Sequence, residues 1–179
     1  MTDNAVDDNT SAYAHHALML NSLPGPLHRQ VLRIAHGARL RWWRLTGKLV
    51  RGCNVIASND CGQILLVRHS YHLQELWMLP GGGLDKGESL LEAACRELAE
   101  EVGCTLDFAR HIETLTLDWG TWTNVIELVS GTTTDTPKPD GREIAAARFF
   151  DPRALPHPTS KPAQDMIAIW LDHQNGSSV

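Results

Sequence analysis

The sequence predicts a mixed α/β fold in which a β-sheet is sandwiched between α-helices. Two short β-branched segments lie before residue 70, a helical segment follows three consecutive glycines, and further strand-like segments precede a late helix. That order of elements is typical of a mixed sheet covered by helices. A length of 179 residues suits one such domain with an extension.

The composition is that of an ordinary soluble globular protein, with 42% hydrophobic and 21% charged residues. A net charge of −5 gives no global reason to expect nucleic acid or membrane binding. No segment approaches the roughly 18 to 20 apolar residues of a membrane span, and the polar start "MTDNAVDDNT" lacks the features of a secretion signal. We therefore expect a cytoplasmic protein without integral membrane association.

The cysteines form no C-x-x-C pair, so neither a zinc knuckle nor a redox motif is indicated. We expect buried or half-buried free thiols at Cys53, Cys61, Cys95 and Cys104.

The N-terminal part divides into a predicted disordered tail, residues 1–22, and a predicted basic amphipathic helix, residues 23–48. Pro26 suits the first helical position and Gly47 the end of the helix. The helix contains no acidic residue, and its apolar residues recur at helical spacing: Leu27, Val31, Ile34, Ala35, Ala38, Trp42 and Leu45.

This helix has two interpretations. In the favoured one its apolar stripe packs on the main domain or on a second subunit in a homodimer, because such packing supplies most helical stability. In the other, residues 26–46 bind nucleic acid or an anionic membrane surface through their arginines.

The main domain is predicted over residues 49–173. "VRGCNVIAS" and "ILLVRHS" are strands around the turn "NDCGQ", and "LWMLP" is a short strand leading into the glycines. "ARHIETLTLDW" and "TNVIELVSGTT" are two strands joined around Gly120, and "DTPKPDGRE" is a loop. The segment "IAAARFFDP" is a strand, a short helix or both.

The last helix is predicted in "TSKPAQDMIAIWLDH", with its cap near Thr159 or Ser160. One face of that helix is apolar: Ala163, Met166, Ile167 and Trp170. Residues 174–179 are predicted to be a tail.

The segment after the glycines begins a helix, since Ser89 and Glu92 form a capping box. Its predicted core stripe consists of Leu91, Ala94, Leu98 and Val102. Ala93 is expected to leave the neighbouring surface open.

Three acids, Glu97, Glu100 and Glu101, share an arc of about 100° beside that stripe. Each close pair would cost about 2–3 kcal/mol on a partly desolvated face, and the acids lie at the unfavourable end of the helix dipole. Arg96 is expected to point to another face. A bound hard cation, Mg²⁺ or Mn²⁺, would offset the repulsion.

The glycines, Gly81 to Gly83, are predicted to form a loop whose backbone can approach a ligand closely. A glycine backbone beside acidic side chains is suited to bind Mg²⁺ together with the phosphate oxygens of a substrate.

The stretch from Gly82 to Cys104 resembles the Nudix box, G-x5-E-x7-R-E-U-x-E-E-x-G-U, where U is aliphatic. Gly82 is followed after five residues by Glu88, and after seven more by Arg96 and the sequence "ELAEEVGC". The one departure is Cys104, where a small hydrophobic residue is expected to pack. Similarity to the family extends over roughly residues 50 to 173, through "GQILLVRHS", "WMLPGGG" and "REIAAARFFDPRALP".

The resemblance implies a Nudix fold and a Mg²⁺- or Mn²⁺-dependent hydrolase that cleaves a diphosphate joined to a nucleoside. It implies metal ligands at Glu97, Glu100 and Glu101, with the Gly81 carbonyl as an additional ligand. It also implies a pair between Glu88 and Arg96 that holds the loop against the helix.

Catalytic and substrate roles are left open at several residues. The general base is Glu97 or Glu143, although Glu143 is equally well a structural acid. Arg68 contacts phosphate or is a plain surface arginine. The backbone of Gly82 and Gly83 is also expected to contact the substrate. Trp119 or Trp122 stacks on a base of the substrate or packs in the core.

The substrate is not chosen by the sequence. The segment from Leu115 to Asn124 has neither the proline nor the tyrosine that some subfamilies carry downstream of the box. Two alternatives to the hydrolase are a non-catalytic nucleotide-binding or sensing module and, ranked lower, a prenyl diphosphate isomerase. The intact set of acids favours the hydrolase.

Overall fold

The computed structural model describes residues 49–70, 75–118, 123–139 and 143–176. The predicted tail at residues 1–22 and the predicted basic helix at residues 23–48 lie outside the described residues.

A mixed six-stranded sheet forms the centre of the fold. Its strands follow the order β4-β5-β1-β2-β6, and β3 pairs with β1 outside this path. β1 and β5 are parallel, whereas the other pairs are antiparallel. The strands are β1 (Leu49–Ser58), β2 (Ile64–His69), β3 (Gly81–Gly83), β4 (Asp107–Asp118), β5 (Thr123–Thr132) and β6 (Ile144–Phe150).

Two helices, α1 (Leu90–Val102) and α2 (Lys161–Gly176), cover opposite faces of the sheet. On the α1 face, Leu98 belongs to an apolar cluster with Val55 and Val129. On the α2 face, Ile167 belongs to a second cluster with Leu66 and Leu128. Successive strand residues alternate between the two clusters, as the pleat of a strand requires. The predicted mixed sheet between helices is confirmed.

The caps of α1 fix where its acids lie. The Ser89 hydroxyl accepts a hydrogen bond from the Glu92 amide at 3.3 Å, and the Glu92 carboxylate accepts one from the Ser89 amide at 2.9 Å, which confirms the capping box. Gly103 ends the helix in the left-handed conformation, with φ 67°, and donates to Ala99 O.

The core stripe of α1 differs from the predicted one at its first turns. Leu91 was predicted to be buried but is 40% exposed. Leu90 packs partly against the core instead, and Ala93, expected to lie on an open surface, is fully buried. The helix is therefore rotated slightly relative to the predicted stripe, so that the adjacent small residues Ala93 and Ala94 both face the core.

The glycines form a strand and not the predicted loop. Gly81, Gly82 and Gly83 pair with β1, where Gly82 lies opposite Cys53. A Cβ atom on Gly81 would lie 2.1 Å from Cys53 O, so the approach of the two backbones requires glycine. The predicted strand "LWMLP" is reduced to single bridges at Trp77 and Met78.

The C-terminal part of the chain forms β6 and α2. β6 shows that "IAAARFFDP" is a strand. The Ser160 hydroxyl accepts from the Ala163 amide at 3.4 Å, in agreement with the predicted cap of α2. α2 continues to Gly176, three residues into the predicted tail, because Gly176 is the first helix breaker after Pro162. Residues 177–179 of that tail lie outside the described residues.

The four cysteines are free thiols, as expected. Cys53 and Cys104 are buried and Cys95 is half-buried, but Cys61 is exposed because it lies in the turn between β1 and β2. Cys104 packs in the core on the α1 face, as expected for that position. Neither of the two described helices is long and apolar enough to cross a membrane.

Candidate functional site

The acids of α1 lie directly over the glycines of β3. The Glu97 carboxylate is so close to Gly82 that a Cβ atom there would be 2.3 Å from Glu97 Oε1. The Gly81 amide donates a hydrogen bond to Glu101 Oε2 at 3.2 Å. The pairing of β3 with β1 thus places a bare stretch of backbone against two carboxylates.

Arg96 joins the acids to the loop between β3 and α1. Its Nε and Nη2 atoms donate to the two carboxylate oxygens of Glu88 at 2.8 and 2.9 Å, and Nη2 also donates to Gly83 O at 3.0 Å. The bonds from Arg96, together with one from the Asp85 amide, lower the pKa of Glu88 to about 2. Arg96 and Glu88 make the contact that the family resemblance implies.

The same guanidinium reaches the acidic face, contrary to the expectation that Arg96 points elsewhere. Nη1 donates to Glu97 Oε1 at 2.9 Å and to Glu100 Oε2 at 3.3 Å. The helical wheel predicts the position of the Arg96 Cα atom correctly. The long side chain, however, extends from its own face of the helix to the acidic face. Neither bond uses both oxygens of its carboxylate.

Glu101 is the most perturbed carboxyl group of the cluster. Its burial, aided by the charges of Glu97, Glu143 and Glu100, raises its pKa to about 8, against the opposing hydrogen bond from Gly81. Burial also raises the pKa of Glu97, although the bond from Arg96 acts in the opposite direction. Among the described residues, the Arg96 guanidinium contacts Glu97 and Glu100, and the nearest basic side chain to Glu101 is that of His69 at 4.0 Å.

Glu143 lies near this cluster, since its charge contributes to the raised pKa of both Glu97 and Glu101. Its backbone carbonyl accepts a hydrogen bond from the Ser70 amide at 2.8 Å, just beyond the end of β2. The side chain of Glu143 is exposed.

His69 is a neighbour of the acids that the sequence reasoning missed. Its Nε2 atom lies 4.0 Å from Glu101 Oε1, and its side chain is almost fully buried. Strand alternation was the available signal, because His69 follows Val67 by two residues and so shares its face. Val67 belongs to the cluster on the α1 face.

Arg68, predicted to contact phosphate, is not brought to the acids. It makes an ion pair with Glu75 at 3.3 Å, and its guanidinium carbon lies 5.4 Å from the centre of the Trp77 ring. Trp77 belongs to the cluster on the α2 face. Arg68 therefore lies on the opposite face of the sheet, because it is one residue out of phase with His69. Trp119 and Trp122 lie outside the described residues.

The donor set fits a hard divalent cation, although it is not preassembled. Among the residues that the structure describes, no three carboxylate, imidazole or thiolate side chains are already placed to hold a metal ion. Hydrogen bonds from Arg96 and Gly81 hold the carboxylates in their present positions. Closely grouped carboxylate oxygens with too little compensating charge are the ligands that Mg²⁺ and Mn²⁺ favour.

A methyl group added at Gly81 is expected to have a different effect from one added at the adjacent Gly82. Gly81→Ala is expected to destabilise the fold, because its φ of 146° and the Cys53 carbonyl leave no room for a Cβ atom. Gly82→Ala is expected to preserve the fold but lower turnover about tenfold or more, because the flexible Glu97 carboxylate must move away. Thermal melting and initial rates of both variants check this, with Gly87→Ala, a positive-φ glycine with open space around it, as the comparison. Equal melting temperatures of Gly81→Ala and wild type would contradict the strand geometry.

A family model described as NUDIX domain matches residues 48–171 of this chain. The match covers most of the residues that the structure describes and includes both the glycine strand and the acidic helix.

Curated relatives match over parts of their length. The NAD-capped RNA hydrolase NudC of Vibrio atlanticus (strain LGP32) is 27% identical over 130 residues, which are 71% of this chain and 48% of that protein. The RNA pyrophosphohydrolase of Psychrobacter sp. (strain PRwf-1) is 41% identical over 61 residues, 34% of this chain and 32% of that protein. The chain thus spans at most about half the length of these two relatives.

Solved structures share the fold. The MutT NUDIX hydrolase from Burkholderia pseudomallei superposes with a TM-score of 0.60 at 25% identity, covering 68% of this chain and 97% of that one.

Proposed function

The chain belongs to the NUDIX family, and on that premise we propose that it is a pyrophosphohydrolase dependent on Mg²⁺ or Mn²⁺. Its substrate is a nucleoside diphosphate linked to another group. The proposal is supported by the names of relatives, which include an NAD-capped RNA hydrolase, an RNA pyrophosphohydrolase and a putative 8-oxo-dGTP diphosphatase.

One observation carries the proposal: a buried carboxyl group, Glu101, lies among other acids and against the glycine backbone. An uncompensated buried charge is costly, and the raised pKa of Glu101 reflects this cost. The cost is removed when a divalent cation binds the acids. At Gly83 the glycine strand is open, with nothing within 4 Å of the position of a Cβ atom, which leaves room beside the acids for phosphate oxygens.

The carboxylates of Glu97, Glu100 and Glu101 would hold the metal, together with the Gly81 carbonyl. When bound, the ion supplies neutralisation of the phosphate charge and polarisation of a water molecule. Arg96 and Glu88 are positioning residues, because their paired hydrogen bonds fix the loop after β3 on the helix.

The general base is Glu97 or Glu143. The charges of both carboxylates contribute to the raised pKa of Glu101. Either carboxylate accepts a proton from the attacking water in this proposal. The backbone of Gly82 and Gly83 would contact the substrate, and Trp122 would stack on its base. Retention of all the acids favours this function over a non-catalytic binding module or an isomerase.

Metal binding is expected to raise the melting temperature of the protein by several degrees, because Mg²⁺ binds the folded state only. At a concentration of 100 times Kd the stabilisation is about 2.7 kcal/mol. Thermal melting with MgCl₂ and with NaCl of equal ionic strength checks this, and Glu101→Gln should show a smaller shift. If calorimetric titration shows no heat of binding at millimolar Mg²⁺, with or without a nucleotide, this result would count against the metal site.

A further inference from the structure

A second polar cluster, distinct from the acids of α1, lies on strands β1, β4 and β5. At its centre is Glu127, whose side chain is only 6% exposed. Its Oε1 atom accepts from Arg51 Nη2 at 2.7 Å, and its Oε2 atom accepts from the Thr114 hydroxyl at 2.7 Å and lies 3.1 Å from His111 Nε2. Burial opposes ionisation, but the bonds from Thr114 and Arg51 lower the pKa of Glu127.

This cluster and the acids of α1 lie on the same face of the sheet. Glu127 is the register partner of Cys53, and Cys53 is the register partner of Gly82, over which the Glu97 carboxylate lies. Register partners on neighbouring strands project from the same face. Neighbouring strands are about 4.8 Å apart, so the Cα atom of Glu127 lies about 10 Å from that of Gly82.

The cluster presents hydrogen-bond donors to solvent while its acid is hidden. The side chains of Arg51 and His111 are 58% and 43% exposed, respectively. A guanidinium has five N–H donors, and Glu127 Oε1 is the only side-chain acceptor that Arg51 contacts within the described part of the chain. Glu127 therefore orients the Arg51 guanidinium without occupying all of its donors, whereas the contacts to Glu127 and Thr114 use the Nε2 atom of His111.

We propose that Arg51, oriented by Glu127, binds the part of the substrate beyond the scissile diphosphate and selects a group rich in hydrogen-bond acceptors. This inference rests on the proposed function, which places the diphosphate at Gly82 and the α1 acids. Two sources offer such acceptors at this distance: the O6 and N7 atoms of guanine, which arginine binds with two parallel bonds, and a further phosphate.

Binding of metal-free nucleotides measured by calorimetry separates the two sources. Guanosine diphosphate, 7-deazaguanosine diphosphate and adenosine diphosphate test the base edge. Adenosine diphosphate with and without a 3′-phosphate tests the additional phosphate. Wild type is expected to prefer the acceptor-bearing member of one of these sets by about tenfold or more, and Arg51→Met is expected to abolish that preference.

Arg148→Met is the matched control. Arg148 is an exposed arginine on β6, opposite Leu66, whose side chain belongs to the α2 face. This variant removes the same charge from the other side of the sheet, so the preference of wild type should persist.

Glu127→Gln separates positioning from a purely structural clamp. As a positioning residue, Glu127 should alter the preference between nucleotides and not only the melting temperature. If Arg51→Met and Glu127→Gln lower the melting temperature and leave the preference intact, the cluster is a clamp and the inference is wrong. Absence of any preference in wild type overturns it as well.

The outcome is independent of turnover. Wild type that hydrolyses diphosphates with Mg²⁺ but binds all these nucleotides equally would contradict this inference alone. Discrimination that depends on Arg51, without hydrolysis of any diphosphate, would support the binding site and contradict the proposed enzyme activity.

Discussion

Replacing Glu101 with glutamine is expected to lower turnover by at least about a hundredfold while the fold survives. The substitution keeps the shape and the hydrogen bond from Gly81 but removes a charge that would hold the metal. Loss of a well-placed metal costs both charge neutralisation and water activation, and a hundredfold loss corresponds to about 2.7 kcal/mol in the activation free energy.

Stability should not fall with activity in Glu101→Gln. The amide is neutral, as the buried Glu101 carboxyl of the metal-free protein largely is below its raised pKa of about 8, so the substitution adds no buried charge. Circular dichroism and thermal melting check the fold, and kcat is measured with saturating Mg²⁺. Glu113→Gln, an exposed acid on β4, is the matched control and should retain wild-type turnover.

Glu143→Gln is the informative companion to Glu101→Gln. A similar loss of turnover with unchanged Mg²⁺ affinity would identify Glu143 as the base. A small loss would leave Glu97 in that role, or water activated by the metal alone. Calorimetric Kd values for Mg²⁺ separate a loss of metal from a loss of the base.

Replacing Arg96 with methionine is the second change with a large expected effect. It removes the partner of Glu88, the bond to Gly83 O, and the contacts that hold Glu97 and Glu100. We expect kcat/KM to fall by about a hundredfold, and the melting temperature to fall by several degrees, because several hydrogen-bonded charges lose their partner at once.

Arg96→Lys should recover part of the stability but little of the activity. A lysine restores the charge, but it lacks the planar fork that binds both oxygens of Glu88. Arg110→Met is the control, since Arg110 is an exposed arginine whose Nε donates to a neutral hydroxyl, that of Ser130. Wild-type melting and kinetics in Arg96→Met would contradict its positioning role.

The arrangement of the acids could be predicted because it depends on local geometry. The capping box sets where α1 begins, and the helical period then places Glu97, Glu100 and Glu101 on one surface. The family resemblance added the pair between Glu88 and Arg96, which the structure contains. These features need no knowledge of distant parts of the chain.

Features that depend on long-range pairing were not predictable in the same way. The glycines read as a loop, because nothing local shows that β1 approaches them closely enough to exclude a Cβ atom. The placement of Arg68 away from the acids, and of His69 beside them, depends on which face of β2 the helix α1 covers. The cluster around Glu127 requires the register of three strands, which no single segment encodes.

The central claim is that the α1 acids bind a divalent cation in order to hydrolyse a diphosphate. Its most direct test is nucleotide or phosphate release from a panel of nucleoside triphosphates, nucleotide sugars and dinucleotides, by wild type and Glu101→Gln, with Mg²⁺ and with a chelator. The account predicts release from at least one class that requires Mg²⁺ and is reduced about a hundredfold or more in the folded variant. Equal release by folded Glu101→Gln, or release that persists in the chelator, would contradict it.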